Sequence, residues 1–262
     1  MTLKDLTRNT FKAIGLEIGL DVKVIDGEIC CKPLDPNDPR YSLDFILPSM
    51  KMIQACRADD FEFFHPLIEA GTLTEAQMHH AAERYYLGKT LSGVPMFWMI
   101  DDMMEPLDAH IGKGWLSQKL KARHPILKSW PVKHCLFGEH LINIPLLSRR
   151  GQGWSVHTHV SIVESEASAV ILSELLPDNI WLAYGYTGNL TPFLLEPLVG
   201  RKVTIYPRTD PTMSTYIFFL DYRDLVRKRY DIDLRIDSTL ENHTTDSQKE
   251  RCIDLLDFIL ET

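Results

Sequence analysis

From residue 159 to the end of the chain, apolar runs of strand length alternate with amphipathic runs of helix length, and this alternation constrains the fold more than any other feature. VSIVE, ending at Glu164, is the continuous apolar run that a strand buried on both faces requires, and SEASAVILSELL is a helix that stops before Pro177-Asp178. IWLAYG is a second strand, TPFLLEPLVG a short helix or turn, and KVTIYP a third strand. YIFFLDYRDLVRKRY then reads as a helix, DLRI as a fourth strand, and residues 245–260 as one terminal amphipathic helix. Repetition of this kind builds a parallel sheet flanked by helices, which takes its ligands at the carboxyl ends of the strands. The expected class is α/β.

Upstream lies a smaller α+β part. Residues 3–18 have loose helical spacing at Leu6, Phe11, Ile14 and Ile18, and residues 21–31 alternate around the hairpin dipeptide Asp26-Gly27. The three prolines of KPLDPNDPRYS indicate a loop, and the aromatics of DDFEFFHPLIE indicate packing, with His65 at a core edge. A helix starts at Thr72 or Thr74, where Thr72-x-x-Glu75 has capping-box form, and runs to Gly88 as its C-cap. His79 and His80 are adjacent, so they project about 100° apart and do not chelate one ion. Residues 93–111 read as a β-hairpin around an acidic turn. The expected organisation is a unit at 1–71, a basic middle region at 72–153, and the α/β domain at 154–262.

Charge is unevenly distributed. Residues 109–163 hold eight basic residues (Lys113, Lys119, Lys121, Arg123, Lys128, Lys133, Arg149, Arg150) against the single acid Glu139. That is a net +7, which leaves −15 for the rest of a chain whose total is −8. A polyanion such as DNA or RNA would be drawn to this window and repelled elsewhere. Trp115 and Trp130 stand at the ends of its segment GWLSQKLKARHPILKSW; such aromatics stack bases in a nucleic-acid binder and anchor a solvated helix otherwise. The five cysteines include no C-x-x-C pair, so zinc is not expected and the thiols read as reduced and structural. No apolar run approaches the roughly 20 residues that span a bilayer, and MTLKDLTRNT is no signal peptide. A cytoplasmic protein without membrane contact is expected.

The candidate site residues stand at the strand ends. Glu164 closes the first strand, Gly185 and Gly188 follow the second, and Asp210 follows the third in YPRTDP. Carboxylates on neighbouring strand ends gather oxygen ligands for Mg²⁺, and glycines allow a phosphate or metal close to the backbone. Asp210 before Pro211 is equally a turn residue. His157 and His159 alternate toward Glu164 without a third donor, and His134, Glu139 and His140 lie in HCLFGEHLI, whose apolar residues read first as packing.

At these positions the sequence resembles the toprim domain of primases, topoisomerases and related nucleases. More closely, it resembles a family of toprim-containing, primase-like proteins of bacterial mobile elements. The resemblance runs through HHAAERYYLGKTLSGVPMFWMID, HCLFGEHLI, IVESEASAVILSELLPDNIWLAYG and GRKVTIYP, most of residues 77–207. It implies a toprim-like parallel sheet behind a primase-like N-terminal part, with Glu164 as general acid or base or metal ligand. It also implies Gly185 or Gly188 as the glycine after the second strand, Asp210 as the remainder of an Mg²⁺-binding aspartate pair, and nucleotidyl or phosphoryl transfer on DNA or RNA beside a replication or mobilisation protein. The chain departs from the pattern at Arg208, where an acid is expected, and at Ser165 and Ser168, where a glycine and an aspartate are usual. A guanidinium beside a divalent ion costs on the order of 4 kcal/mol at 4 Å and an effective dielectric of 20, so magnesium binding is expected to be weak unless Glu166 or Asp221 substitutes. Arg208 could instead bind phosphate directly, which suits a catalytically inactive module that binds nucleic acid or a replication partner. The zinc ribbon of a complete primase is absent from the cysteine pattern, so autonomous primer synthesis is not expected.

Overall fold

The computed structural model describes residues 20–25, 28–33, 47–123, 127–129, 131–143, 158–185 and 190–262. The helix expected at 3–18, the dipeptide Asp26-Gly27 and most of the proline-rich loop lie outside them. In chain order come strands β1 (Leu20–Ile25) and β2 (Glu28–Pro33), then helices α1 (Met50–Cys56), α2 (His65–Glu69) and α3 (Glu75–Arg84). Strands β3 (Gly88–Lys89), β4 (Pro95–Ile100), β5 (Pro106–Ile111) and β6 (Gly114–Trp115) lead into α4 (Leu116–Arg123). After the 3-10 turn Glu139–Asn143 come β7 (Val160–Val163), α5 (Glu166–Leu175), β8 (Ile180–Ala183), the 3-10 helix Pro192–Leu198 and β9 (Lys202–Ile205). The chain ends with α6 (Ser214–Arg227), β10 (Asp233–Ile236), α7 (Thr239–His243), α8 (Asp246–Glu250) and α9 (Leu255–Glu261).

Two compact units form, and they interleave along the chain. One comprises Met1–Asp59, Tyr86–Met99 and Glu105–Lys133; the other comprises Asp60–Tyr85, Ile100–Met104 and His134–Thr262. This differs from the three linear spans expected, because α3 packs against α5 across about ninety residues of sequence. The Tyr85 hydroxyl at the end of α3 donates to the Trp181 carbonyl of β8 at 2.8 Å, and burial pushes that phenol up to about 12. Gln77 and His80 on the same helix reach the backbone carbonyl and carboxylate of Glu174. The cap of α3 is Thr74, whose hydroxyl accepts from Gln77 N while the Gln77 side chain accepts from Thr74 N, so the second of the two expected starts is used.

In the first unit, β1 and β2 pair antiparallel with Ile25 opposite Glu28. A four-stranded sheet runs in the order β3-β4-β5-β6. Asp108, buried on β5, accepts from Ser117 N and Ser117 Oγ and so ties the start of α4 to the sheet. Leu120 and Leu127 pack with Leu47 and Leu116 beneath α4.

The second unit is built on a parallel sheet in the order β10-β9-β7-β8. Its strands are as apolar as sheets covered on both faces require; Val160, Ile162, Ile180, Leu182, Val203, Ile205 and Leu234 are all buried. The crossover through α5 moves one way along the sheet and the crossover through α6 the other, so right-handed connections put these helices on opposite faces. Phe137 adds an antiparallel bridge outside β8, exchanging both backbone hydrogen bonds with Ala183. That explains HCLFGEHLI: it is an edge segment of the sheet, and its residues Leu136, Phe137, Leu141 and Ile142 are core. One expectation is corrected here. Residues 245–260 do not form one helix but two, α8 and α9, because Cys252 turns left-handed at φ 54° and Asp254 starts a second capping box with Asp257.

Candidate functional site: the strand-end crevice

The sheet order reverses at β7. The chain steps from β7 to β8 on one side and then crosses to β9 on the other, so the loops after β7 and β9 diverge at their carboxyl ends, the place where open parallel sheets take ligands. Glu164 ends β7 there, and Arg208 and Asp210 follow β9. Tyr184 and Gly185 follow β8, and the Gly185 amide donates to the Glu164 carbonyl at 2.9 Å.

Ser165 begins α5, its hydroxyl accepting from Ser168 N, and Glu166 occupies the first helical position. The Glu166 carboxylate lies against Gly185: a Cβ on that residue, whose φ is +68°, would sit 2.9 Å from Glu166 Oε1. Its positive φ favours glycine there, and a side chain would in addition make the Glu166 carboxylate shift. Ser168, one turn into α5, donates to Asp254 Oδ2 at 2.5 Å, so a carboxylate from the far C-terminus stands beside the position where a helix aspartate was expected.

Arg208 Nε lies 3.2 Å from Glu164 Oε2, with the arginine side chain 47% exposed and the glutamate 20%. Burial pushes the Glu164 carboxyl above its ordinary range, the Arg208 guanidinium opposes that, and Asp254 and Glu166 reinforce it. Tyr184, 6% exposed, is pushed well above its ordinary value by burial and then by Glu164, and its hydroxyl has no hydrogen-bond partner among the described residues.

Asp210 is used differently. Oδ1 accepts from Thr212 N, Thr212 Oγ1, Ser214 N and Ser214 Oγ, and Oδ2 accepts from Thr215 N at 2.7 Å. Burial alone would raise this carboxyl, but the hydrogen bonds from Thr212 and Thr215 hold it well below the usual carboxylate range. Asp210 thus satisfies the Ser214 and Thr215 amides of the first turn of α6 from three residues before the N-cap, Met213, whose own side chain makes no cap hydrogen bond. Of the carboxylates considered for a metal, Glu164 is engaged by a guanidinium, Asp210 accepts five hydrogen bonds at the start of α6, Asp221 is exposed on α6, and Glu166 is buried beside Gly185. Among the described residues no group of three or more His, Cys, Asp and Glu side chains is placed to hold a metal ion.

The other sequence candidates fall elsewhere. Gly188, His157, Arg149, Arg150 and the Arg123 side chain lie outside the described residues. His159 sits at the opposite end of β7 from Glu164, its Nε2 2.8 Å from Thr204 Oγ1, and burial lowers its pKa. Glu139 and His140 are buried in the edge segment. Burial pushes Glu139 up to about 8 against a hydrogen bond from Leu136 N, and burial brings His140 down to about 4. Lys113, Lys119, Lys128 and Lys133 are exposed and Lys121 is partly buried, and all five belong to the first unit. Sequence reasoning missed Asp254. Its signal was present as Asp254-x-x-Asp257 before an apolar run, a helix start inside what read as one helix.

A family model described as a domain of unknown function (DUF6371) matches residues 62–209, more than half of the chain. The chain belongs to that family. The DUF6371 match takes in Glu164, Gly185 and Arg208 and ends one residue before Asp210. Comparison with curated proteins finds no match.

Proposed function

We propose that this protein is a catalytically inactive, toprim-like module that binds nucleic acid through its lysine-rich surface, its strand-end crevice holding an internal ion pair where a working member of that class would hold a metal. The observation that carries the reading is Arg208 Nε at 3.2 Å from Glu164 Oε2. The guanidinium supplies the positive charge that a half-buried glutamate needs, at the place where a divalent ion would otherwise supply it. The partners are DNA or RNA, with a replication or mobilisation protein, in the cytoplasm.

A second reading, metal-dependent nucleotidyl or phosphoryl transfer, is favoured by Glu164 itself and by Asp254 standing beside Ser168. Calorimetric titration of Mg²⁺ and Mn²⁺ separates the two. The inactive module shows no binding in the millimolar range, and its affinity for labelled oligonucleotides falls steeply with salt. Metal binding that Glu164→Gln and Asp210→Asn each abolish would instead establish a metal site there and justify assaying nucleotidyl transfer or cleavage, and the lack of any salt-dependent oligonucleotide binding would remove the nucleic-acid role.

A further inference from the structure

We propose that the polar face of the parallel sheet, across β10, β9 and β7, binds a phosphorylated pentose, either free or as part of a mononucleotide. None of the residues involved belongs to the strand-end crevice or to the lysine-rich surface, and the inference goes beyond the nucleic-acid reading without resting on it.

The strand register divides the sheet into two unlike faces. Val160 is paired with Ile180 and Val203, and Val203 with Leu234; these four share one face and are all buried. Bonds from Tyr206 N to Ile162 O and from Asp237 N to Ile205 O carry the ladder just past the strand ends. The residues that alternate with the apolar set therefore share the other face: His159 and Ser161 along β7, Thr204 and Tyr206 along β9, Arg235 and Asp237 along β10. Charge on β10 alone would be ordinary for an edge strand. Polarity here continues onto β9 and β7, which have neighbours on both sides, and reaches Thr204 at 7% exposure and Ser161 at 0%. Burying hydroxyls in place of apolar side chains costs free energy, so packing alone does not account for this layer. The face opens into a concavity of about 550 Å³, within the range of small-molecule sites, lined by these residues other than Ser161 and by Asn179, Ile236 and Ser238.

The groups around the concavity offer a ligand different things. The Arg235 side chain is 70% exposed, and the carboxylate it pairs with, Asp233 Oδ1, is 3.8 Å from its Nε, beyond hydrogen-bonding distance. Its donors are thus available to a phosphate. His159 Nε2 lies 2.8 Å from Thr204 Oγ1; burial lowers the imidazole pKa, and Arg235 and Lys202 lower it further against Asp233, so the potential at this end is positive. Asp237 accepts from Thr239 N through Oδ1 at 2.8 Å, which leaves Oδ2 for a sugar hydroxyl. Tyr206 is half-buried, its ring leaning on Trp181 with centroids 5.8 Å apart, and burial followed by Asp237 pushes its phenol above the ordinary value, so it stays a donor. Arg235 and Asp237, two residues apart, have Cα atoms roughly 7 Å apart on one face, comparable to the span of a pentose 5-phosphate from phosphorus to ring hydroxyls. A free amino acid, with both charged groups on one carbon, falls short of it.

The test is calorimetric titration of the full chain with ribose 5-phosphate, adenosine 5′-monophosphate, inorganic phosphate and ribose. Ribose 5-phosphate is expected to bind more tightly than inorganic phosphate or ribose. Arg235→Gln weakens it by about 10- to 100-fold, and Asp237→Asn, which keeps Oδ1 for Thr239 N, removes its advantage over inorganic phosphate. Arg235 is exposed and the asparagine is isosteric, so both variants are expected to fold, with thermal melts like the wild type's. Tighter binding of the monophosphate than of ribose 5-phosphate identifies a mononucleotide site, and the reverse order a site for the free sugar phosphate. No binding of either in the millimolar range, affinity no greater than that of inorganic phosphate, or binding that Arg235→Gln or Asp237→Asn leaves at the wild-type level overturns the proposal. The oligonucleotide assay of the nucleic-acid reading is unaffected by either result.

Discussion

Two residues apart after β9, Arg208 reaches across the crevice to Glu164 while Asp210 turns back onto the first turn of its own helix. Replacing Asp210 with Ala should destabilise the fold by about 1–2 kcal/mol, read as a lower urea midpoint, because five local hydrogen bonds go at once. Its folded pKa is depressed, so this contribution is complete above the ordinary aspartate range and is lost as the pH falls through the folded value. Glu139 has the opposite sign. Raised to about 8, it holds a proton in the fold that the unfolded chain releases near 4.5, so its contribution is complete below about 4.5 and is lost as pH rises through about 8. Thermal melts of wild type and Glu139→Gln should therefore coincide below about pH 4.5 and diverge progressively up to about pH 8, where the glutamine variant melts several degrees higher. A constant offset between the two would show that Glu139 does not change charge on unfolding.

At the scale of elements, the break between α8 and α9 is what brings Asp254 to Ser168. The left-handed Cys252 and the Asp254–Asp257 capping box redirect the chain, and Thr209 N bonds Ile253 O at 3.0 Å, fastening the segment to the end of β9. Cysteine in a left-handed conformation costs roughly 1 kcal/mol relative to glycine. Cys252→Gly is accordingly expected to leave stability unchanged or raise it by up to about that amount in denaturant melts, whereas Asp254→Ala should lower it through loss of the cap and of the Ser168 bond. A clear loss of stability in Cys252→Gly would show that the thiol contributes more than the backbone strain removes. The elements of the sheet were legible in advance because strand and helix periods differ. The break was not, because apolar spacing continues through it and only the capping residues mark it.

For the whole molecule, a net −8 conceals a positive first unit, and the four exposed lysines between Lys113 and Lys133 set the expected electrostatics. If each meets a phosphate, the single-strand salt slope is about −3, and affinity drops roughly 50-fold between 50 and 200 mM salt. A slope near zero in the oligonucleotide titrations would mean that these cations do not meet phosphates. The interleaving of the two units is a property of this scale as well. It follows from Tyr85, Gln77 and His80 finding partners on β8 and α5 far along the chain, which no linear reading of composition anticipates.

Periodicity in the sequence alone was sufficient for a helix-flanked parallel sheet, for Glu164, Gly185 and Arg208 at its strand ends, and for the clustering of lysines, since these depend on residues near one another in the chain. Tertiary structure decided what the side chains at those ends are doing. Arg208 pairs with Glu164 across two strands, Asp210 is taken up by its own helix, and Asp254 arrives beside Ser168 from 86 residues away. Each of these depends on which side chains the folded sheet brings within hydrogen-bonding distance, and that distance is not written in sequence spacing.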